Sequence, residues 1–225
     1  MTIELLFLDM EGTLFASQDV VVGPDHAHHT SLWTRIFSEL GTAAQLDNVT
    51  MIEKWDGGRY RSYMDWVDDS LLAMRRHGLS RGQFEALVAE TPYNPGVQAT
   101  LGELHSRGIR TAIVSGGFIA QARRAQADLR IHHAYAATDL FWDSAGELIH
   151  WNIFQSDFEG KVDFVRLMMR EYRLEADRCA FIGDGANDVP IASAVGTYVA
   201  YNGHPALREA AQHSIEDFGE LLAII

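Results

Sequence analysis

The chain has 225 residues, 47% of them hydrophobic and 22% charged, which is an ordinary globular composition with room for one large domain or a core carrying an insert. Its 18 basic residues against 31 acidic ones leave a net charge of -13, which argues against a nucleic-acid partner but not against a local positive pocket for one small anion. The single cysteine, Cys179, excludes an internal disulfide framework; within the apolar run CAFIGDG it reads as a buried structural thiol.

In chain order, residues 3 to 8 (IELLFL) form a short apolar run suited to a strand buried on both faces. The N-terminal stretch has no basic leader and is too short to span a bilayer, so no membrane partner and a cytoplasmic location are expected. From 16 to 92 helical spacing takes over. Leu32, Ile36 and Leu40 recur every four residues before Gly41, DWVDDSLLAMRRHG ends in basic residues and a glycine, and Ser80 is placed to cap SRGQFEALVAE. This stretch is expected to be an all-helical insert.

TPYNPG at 91 to 96 breaks the pattern, and helices then alternate with strands. IRTAIVSGG and CAFIGDG read as strands ending in small residues, AYAATDLFWDSAGELIHWNIF as a strand and a hairpin, and VQATLGELHSRG, FIAQARRAQADL and KVDFVRLMMREYRL as helices. The predicted fold is α/β, a Rossmann-like doubly wound parallel sheet. Its core comprises residues 1–15 and 93–225, with a helical cap inserted at 16–92.

Open sheets of this kind gather ligands at the carboxyl ends of their strands. There the sequence puts Asp9 after LLFL, Ser115-Gly116-Gly117 after TAIV, and Asp184 after CAFIG, while Lys161 opens the helix before the last of these strands. The set suits phosphoryl transfer. Asp9 is a carboxylate nucleophile, Lys161 and a divalent cation neutralise the transferred group, and Ser115 with nearby backbone N–H groups adds donors. Asp9 and Asp184 are hard oxygen ligands suited to Mg²⁺.

These motifs resemble the haloacid dehalogenase superfamily, and within it the phosphoserine-phosphatase branch. Asp9-Met10-Glu11-Gly12-Thr13 matches the first motif, Ser115-Gly116-Gly117-Phe118 the second, Lys161 the third and GDGANDVPI from Gly183 the fourth. The resemblance covers the insert too, which corresponds to that branch's cap, and the hairpin at 139 to 155 resembles its small β extension. It implies Asp9 as nucleophile and metal ligand, and Glu11 as general acid/base whose backbone carbonyl also meets the metal. Ser115, Gly116, Lys161 and Asn187 would hold phosphate, and Asp184 and Asp188 would hold Mg²⁺.

Glu11 stands where the pattern more often has aspartate. The intrinsic pKa values, about 4.3 for Glu and about 3.9 for Asp, barely differ, but the added methylene moves the carboxyl by roughly 1 to 1.5 Å, a displacement able to cost about a hundredfold in rate. Three readings follow: Mg²⁺-dependent hydrolysis of a small phosphomonoester through an aspartyl-phosphate on Asp9, a phosphotransferase using the same intermediate, or a catalytically silent protein that binds a phosphorylated metabolite.

In the resembling branch a glutamate after the first motif and an arginine in the cap grip the substrate serine. Here Gln18 and Asp19 lie near the first position and WVDDSLLAM at the second, so a phosphomonoester other than phosphoserine is expected. In EKWDGGRYRSYMDW, Arg59 and Trp66 are the candidate substrate contacts, against the alternative that Trp55, Tyr60, Tyr63 and Trp66 only pack the cap and Arg59 and Arg61 are solvated. His26, His28 and His29 lack zinc-site spacing and read, like His132 and His133, as exposed. Asp157 and Glu159 read as a solvated loop before Lys161.

Overall fold

The computed structural model describes the backbone of residues 2–21 and 27–225 and the side chains of residues 2–17 and 31–225. His26 and the side chains of Gln18, Asp19, His28 and His29 therefore lie outside the described residues. Contacts divide the chain into one unit of residues 1–16, 92–137 and 155–225 and a second of residues 17–91 and 138–154.

The first unit is built on strands β1 (Leu5–Leu8), β4 (Arg110–Phe118), β5 (His133–Trp142, of which only the start belongs here), β7 (Cys179–Gly183), β8 (Thr197–Tyr201) and β9 (His213–Ile215). Their order is β5-β4-β1-β7-β8-β9. β1 pairs parallel with both β4 and β7, and β7–β8 and β8–β9 are parallel too. All four side chains of β1 are buried, because helices cover both faces. Leu6 and Leu8 pack on one face with Leu101 and Leu104 of α5 (Val97–Ser106) and Ala122 and Ala125 of α6 (Ile119–Leu129). Leu5 and Phe7 pack on the other with Val162, Val165 and Met168 of α7 (Glu159–Tyr172) and Leu207 of α8 (Pro205–Ala210). β1 lies between β4 and β7, and the strand order reverses direction there, so a crevice is expected at its carboxyl end. Cys179 is fully buried in this core, and burial pushes its thiol up to about 11, in keeping with a structural role.

The second unit contains α1 (Leu32–Glu39), α2 (Thr42–Asp56), α3 (Tyr63–Arg76) and α4 (Arg81–Glu90). Ser80 caps α4 as expected, through a reciprocal box with Gln83. The segment expected to be all-helical also holds an antiparallel ribbon of β2 (Gln18–Val21) and β3 (Ala27–Thr30); the β-branched pair Val20–Val21 favours extended backbone there. The far half of β5 and β6 (Leu148–Ile153) pair antiparallel and group with these helices, although the sequence placed them with the core. Two side-chain contacts and one backbone bond explain the grouping: Trp151 Nε1 donates to Asp68 at 2.7 Å, the Phe84 and Trp142 rings meet at 5.8 Å, and Arg81 N donates to Gly146 O at 2.8 Å. No described helix is long and apolar enough to cross a membrane.

Candidate active site

Asp9 follows the last residue of β1, and its N–H continues the ladder by donating to Ile182 O of β7 at 2.9 Å. Its side chain is only 8% exposed. Lys161, two residues into α7 and fully buried, reaches it from below: Nζ lies 2.8 Å from Asp9 Oδ1, 2.6 Å from Asp188 Oδ1 and 3.8 Å from Asp157 Oδ1. Burial opposes the ammonium charge, but the carboxylates of Asp188, Asp9 and Asp157 outweigh it and hold Lys161 well above the usual lysine range. It is a permanent cation pinned against the nucleophile candidate.

Asp184, at the end of β7, and Asp188, in the 3₁₀ segment Ala186–Ser193, complete the acidic side of the crevice. Oxygens of Asp9, Asp184 and Asp188 all lie within 4.8 Å of one another. Thr13 Oγ1 donates to Asp184 Oδ1 at 2.8 Å, and Gly185 N donates to Asp188 Oδ2 at 3.0 Å. Gly12 has a φ of +77°, and a Cβ there would run into the Asp184 carboxylate, so only glycine permits this approach. Burial, then the charges of Asp9 and Asp188, push Asp184 well above the usual carboxylate range; burial and Asp9 push Asp188 up to about 7. When ionised, the three carboxyls would carry more negative charge than Lys161 offsets. A small hard divalent cation fits that surplus and the all-oxygen donor set. The Glu11 side chain is not among the three.

β4 supplies the opposite wall. Ser115 is buried, and its Oγ accepts from Gly117 N at 3.1 Å. Glu11 stands beside the end of β4: a Cβ on Gly117 would lie 3.4 Å from Ser115 Oγ and 3.6 Å from Glu11 Cδ. The longer acid therefore reaches the same strand end as Ser115. Gly116 is buried beside it.

Asn187 Nδ2 donates to Asp157 Oδ1 at 2.6 Å. The expectation that Asp157 lies on a solvated loop is wrong, since it is 6% exposed, whereas Glu159 is exposed. Burial raises its carboxyl above the usual range, against the pull of Lys161 and the Asn187 bond. The polar appearance of SDFEGK hid this, because an ion-pairing lysine four residues on draws the acid inwards. Sequence reasoning also passed over Ser156, whose Oγ donates to Ser115 O at 2.8 Å, and Asn94, whose Nδ2 donates to Gly12 O and Thr13 O at 2.9 and 2.8 Å. Asn94 sits in the turn-rich TPYNPG break, its one available signal.

In the helical unit, Trp66 is half-buried and stacks on Trp55 at 5.2 Å, with Tyr63 edge-on at 5.8 Å. Its buried Nε1 has no hydrogen-bond partner. Tyr60 donates to Asp69 at 2.6 Å; Arg59 is exposed, and Arg61 pairs with Asp65. His132 is exposed as expected, but His133 is half-buried against Tyr172.

Acids and one lysine thus gather at the carboxyl edge of a mostly parallel, doubly wound α/β sheet, the place where such folds bind ligands. The chain belongs to the haloacid dehalogenase-like hydrolases, whose family model matches residues 3–196. It is 31% identical over 150 residues to a phosphoserine phosphatase of Idiomarina loihiensis, a match covering 66% of each chain. With that of Lactococcus lactis it shares 28% identity over 142 residues, 62% of this chain and 64% of the relative. The matches thus span less than two thirds of those relatives' own lengths. Among solved structures, a phosphoserine phosphatase in a phospho-aspartyl intermediate analogue form superposes with a TM-score of 0.77 at 21% identity, covering both chains fully. A HAD family hydrolase from Salmonella enterica serovar Typhi gives 0.78 at 20% identity, over 97% of this chain and 70% of the other. At such identities these two speak for the fold.

Proposed function

We propose that the protein hydrolyses a small phosphomonoester through a phospho-enzyme on Asp9. The observation that carries this reading is the buried Lys161 ammonium, shared at 2.8 and 2.6 Å between Asp9 and Asp188 beneath the end of β1. It fixes the Asp9 carboxylate and supplies positive charge where a phosphoryl group would arrive. The family and the phosphoserine phosphatases among the relatives support the same chemistry.

In the first step an Asp9 oxygen forms a bond to phosphorus as the bond to the leaving alkoxide breaks, and Glu11 gives that alkoxide its proton. In the second, Glu11 takes a proton from water, whose oxygen attacks phosphorus; inorganic phosphate leaves and the Asp9 carboxylate is restored. Ser115, the Gly116 N–H, Lys161 and Asn187 hold the phosphoryl oxygens meanwhile. A Mg²⁺ ion held by Asp9, Asp184, Asp188 and the Glu11 backbone carbonyl would draw charge from the same oxygens. Arg59 and Trp66 are the helical unit's candidates for the leaving group.

The test is phosphate release from p-nitrophenyl phosphate and a panel of small phosphomonoesters, phosphoserine included, with and without Mg²⁺. Release that requires metal and disappears in Asp9→Asn supports the reading. No release from any member by a folded, metal-binding chain overturns it.

A further inference from the structure

The proposed reaction leaves Asp157 without a task, although it is buried and its Oδ1 stands 3.8 Å from Lys161 Nζ. That same oxygen accepts from Asn187 Nδ2 at 2.6 Å, a short contact. Oδ1 also accepts from the Phe158 N–H, so it is an acceptor and meets the amino end of the Asn187 carboxamide. The carbonyl end is placed separately, packed so close to Gly185 that a Cβ there would strike Asn187 Oδ1. Held at both ends, the carboxamide has one Nδ2 hydrogen left to donate.

Asp157 is itself anchored. Phe158 N donates to its Oδ1 at 3.1 Å, and Gly160 N donates to its carbonyl oxygen at 2.8 Å. Phe158 has a φ of +46°, a backbone state unusual for a bulky residue and a sign that its surroundings over-determine the turn. Ser156, fully buried, ties the same turn to β4 through Ser115 O. Two consecutive side chains thus brace two separate phosphate-side groups, Ser115 and Asn187.

We propose that Asp157 is a positioning residue that acts through Asn187, fixing its carboxamide so that the free Nδ2 hydrogen serves the phosphoryl group. This rests on the reading of the site as one for phosphomonoesters. Affinity for inorganic phosphate in Mg²⁺ and kcat/KM on p-nitrophenyl phosphate are measured for the wild type, Asp157→Ala, Asp157→Asn, Asn187→Ala and the Asp157→Ala/Asn187→Ala double variant. Thermal melts check folding. Asp157→Ala is expected to lose about tenfold in both quantities, as supporting partners of a site commonly do. Asp157→Asn keeps an oxygen acceptor and should stay within about threefold of the wild type. In the Asn187→Ala background, Asp157→Ala should cost nothing more.

Independent losses in the double variant, or Asp157→Asn as damaged as Asp157→Ala, would assign the effect to charge beside Lys161 and overturn the proposal. So would an Asp157→Ala protein equal to the wild type. If Asp157→Ala does not fold, the side-chain NH₂ signals of Asn187 in the wild type decide: one strongly downfield, slowly exchanging hydrogen supports the proposal, and two averaged signals overturn it. A wild type that binds phosphate but hydrolyses nothing sinks the hydrolase reading while the affinity arm still tests Asp157. One that does neither overturns both.

Discussion

Thr13 Oγ1 donates to Asp184 Oδ1 at 2.8 Å, joining two loops 171 residues apart in the chain. Thr13 is fully buried, so no water replaces its hydroxyl. Thr13→Val keeps the shape and removes the donor. It should destabilise the fold by about 1 to 3 kcal/mol and weaken Mg²⁺ binding at least tenfold, since Asp184 would lose the bond that orients it. Urea unfolding and calorimetric Mg²⁺ titration read the two effects; unchanged Mg²⁺ affinity would show that the Thr13 bond does not orient Asp184 for the cation.

Gly12→Ala should be worse. The new methyl meets the Asp184 carboxylate at a backbone φ of +77°. A loss of more than about 2 kcal/mol is expected from strain and the displaced acid together. A thermal melt within about 2 °C of the wild type would contradict the close approach.

Glu11 separates acid/base function from mere placement. Glu11→Gln keeps the reach to the Ser115 end of β4 but cannot exchange the proton, so phosphate release should fall by about 10² to 10⁴. Glu11→Asp retains the carboxyl but retracts it, and a loss of up to about a hundredfold is expected. Both variants should melt like the wild type. Equal rates for Glu11→Gln and the wild type would take proton transfer away from this residue.

The buried acids make stability depend on pH in a defined direction. Asp188 titrates near 7 in the folded chain against about 3.9 unfolded, so between these values the folded state keeps a proton that the unfolded state has lost. Stability of the metal-free protein from this group therefore falls as pH rises from about 4 to about 7, and Asp184, shifted the same way, adds to the slope. Mg²⁺ needs both carboxyls ionised, so the rise in melting temperature that it produces should be larger at about pH 8 than at about pH 6. Asp188→Asn should flatten the metal-free slope; an undiminished slope would assign it to other groups.

Lys161→Met removes the cation and leaves its carboxylate partners in place. Breaking such a buried network should cost about 3 to 5 kcal/mol near neutral pH. Part of that cost should return on acidification, as the acids become neutral. Melting temperatures compared at about pH 5 and about pH 8 check this, and a variant more stable at the higher pH would contradict it.

The residues proposed for the chemistry at the strand ends were legible because they follow apolar runs. Asp9, Ser115 and Asp184 follow stretches that make sense only as buried parallel strands, and such strands deliver their last residues to one edge. The β2–β3 ribbon was hidden because its strands, QDVV and AHHT, are short and rich in polar residues, and the grouping of the β5–β6 hairpin with the helical unit depends on Trp142, Trp151 and Gly146 meeting partners far away in sequence.

Strand-end position and residue type thus follow from local pattern, since burial on both faces writes itself into consecutive apolar residues. Which oxygen faces which donor does not. Asp157 looked like a surface acid until folding brought Asn187 to 2.6 Å from it, and Asn94 became a clamp on Gly12 and Thr13 only when the returning chain was laid beside them. Such contacts join residues tens of positions apart, and their desolvation depends on neighbours that no local window contains.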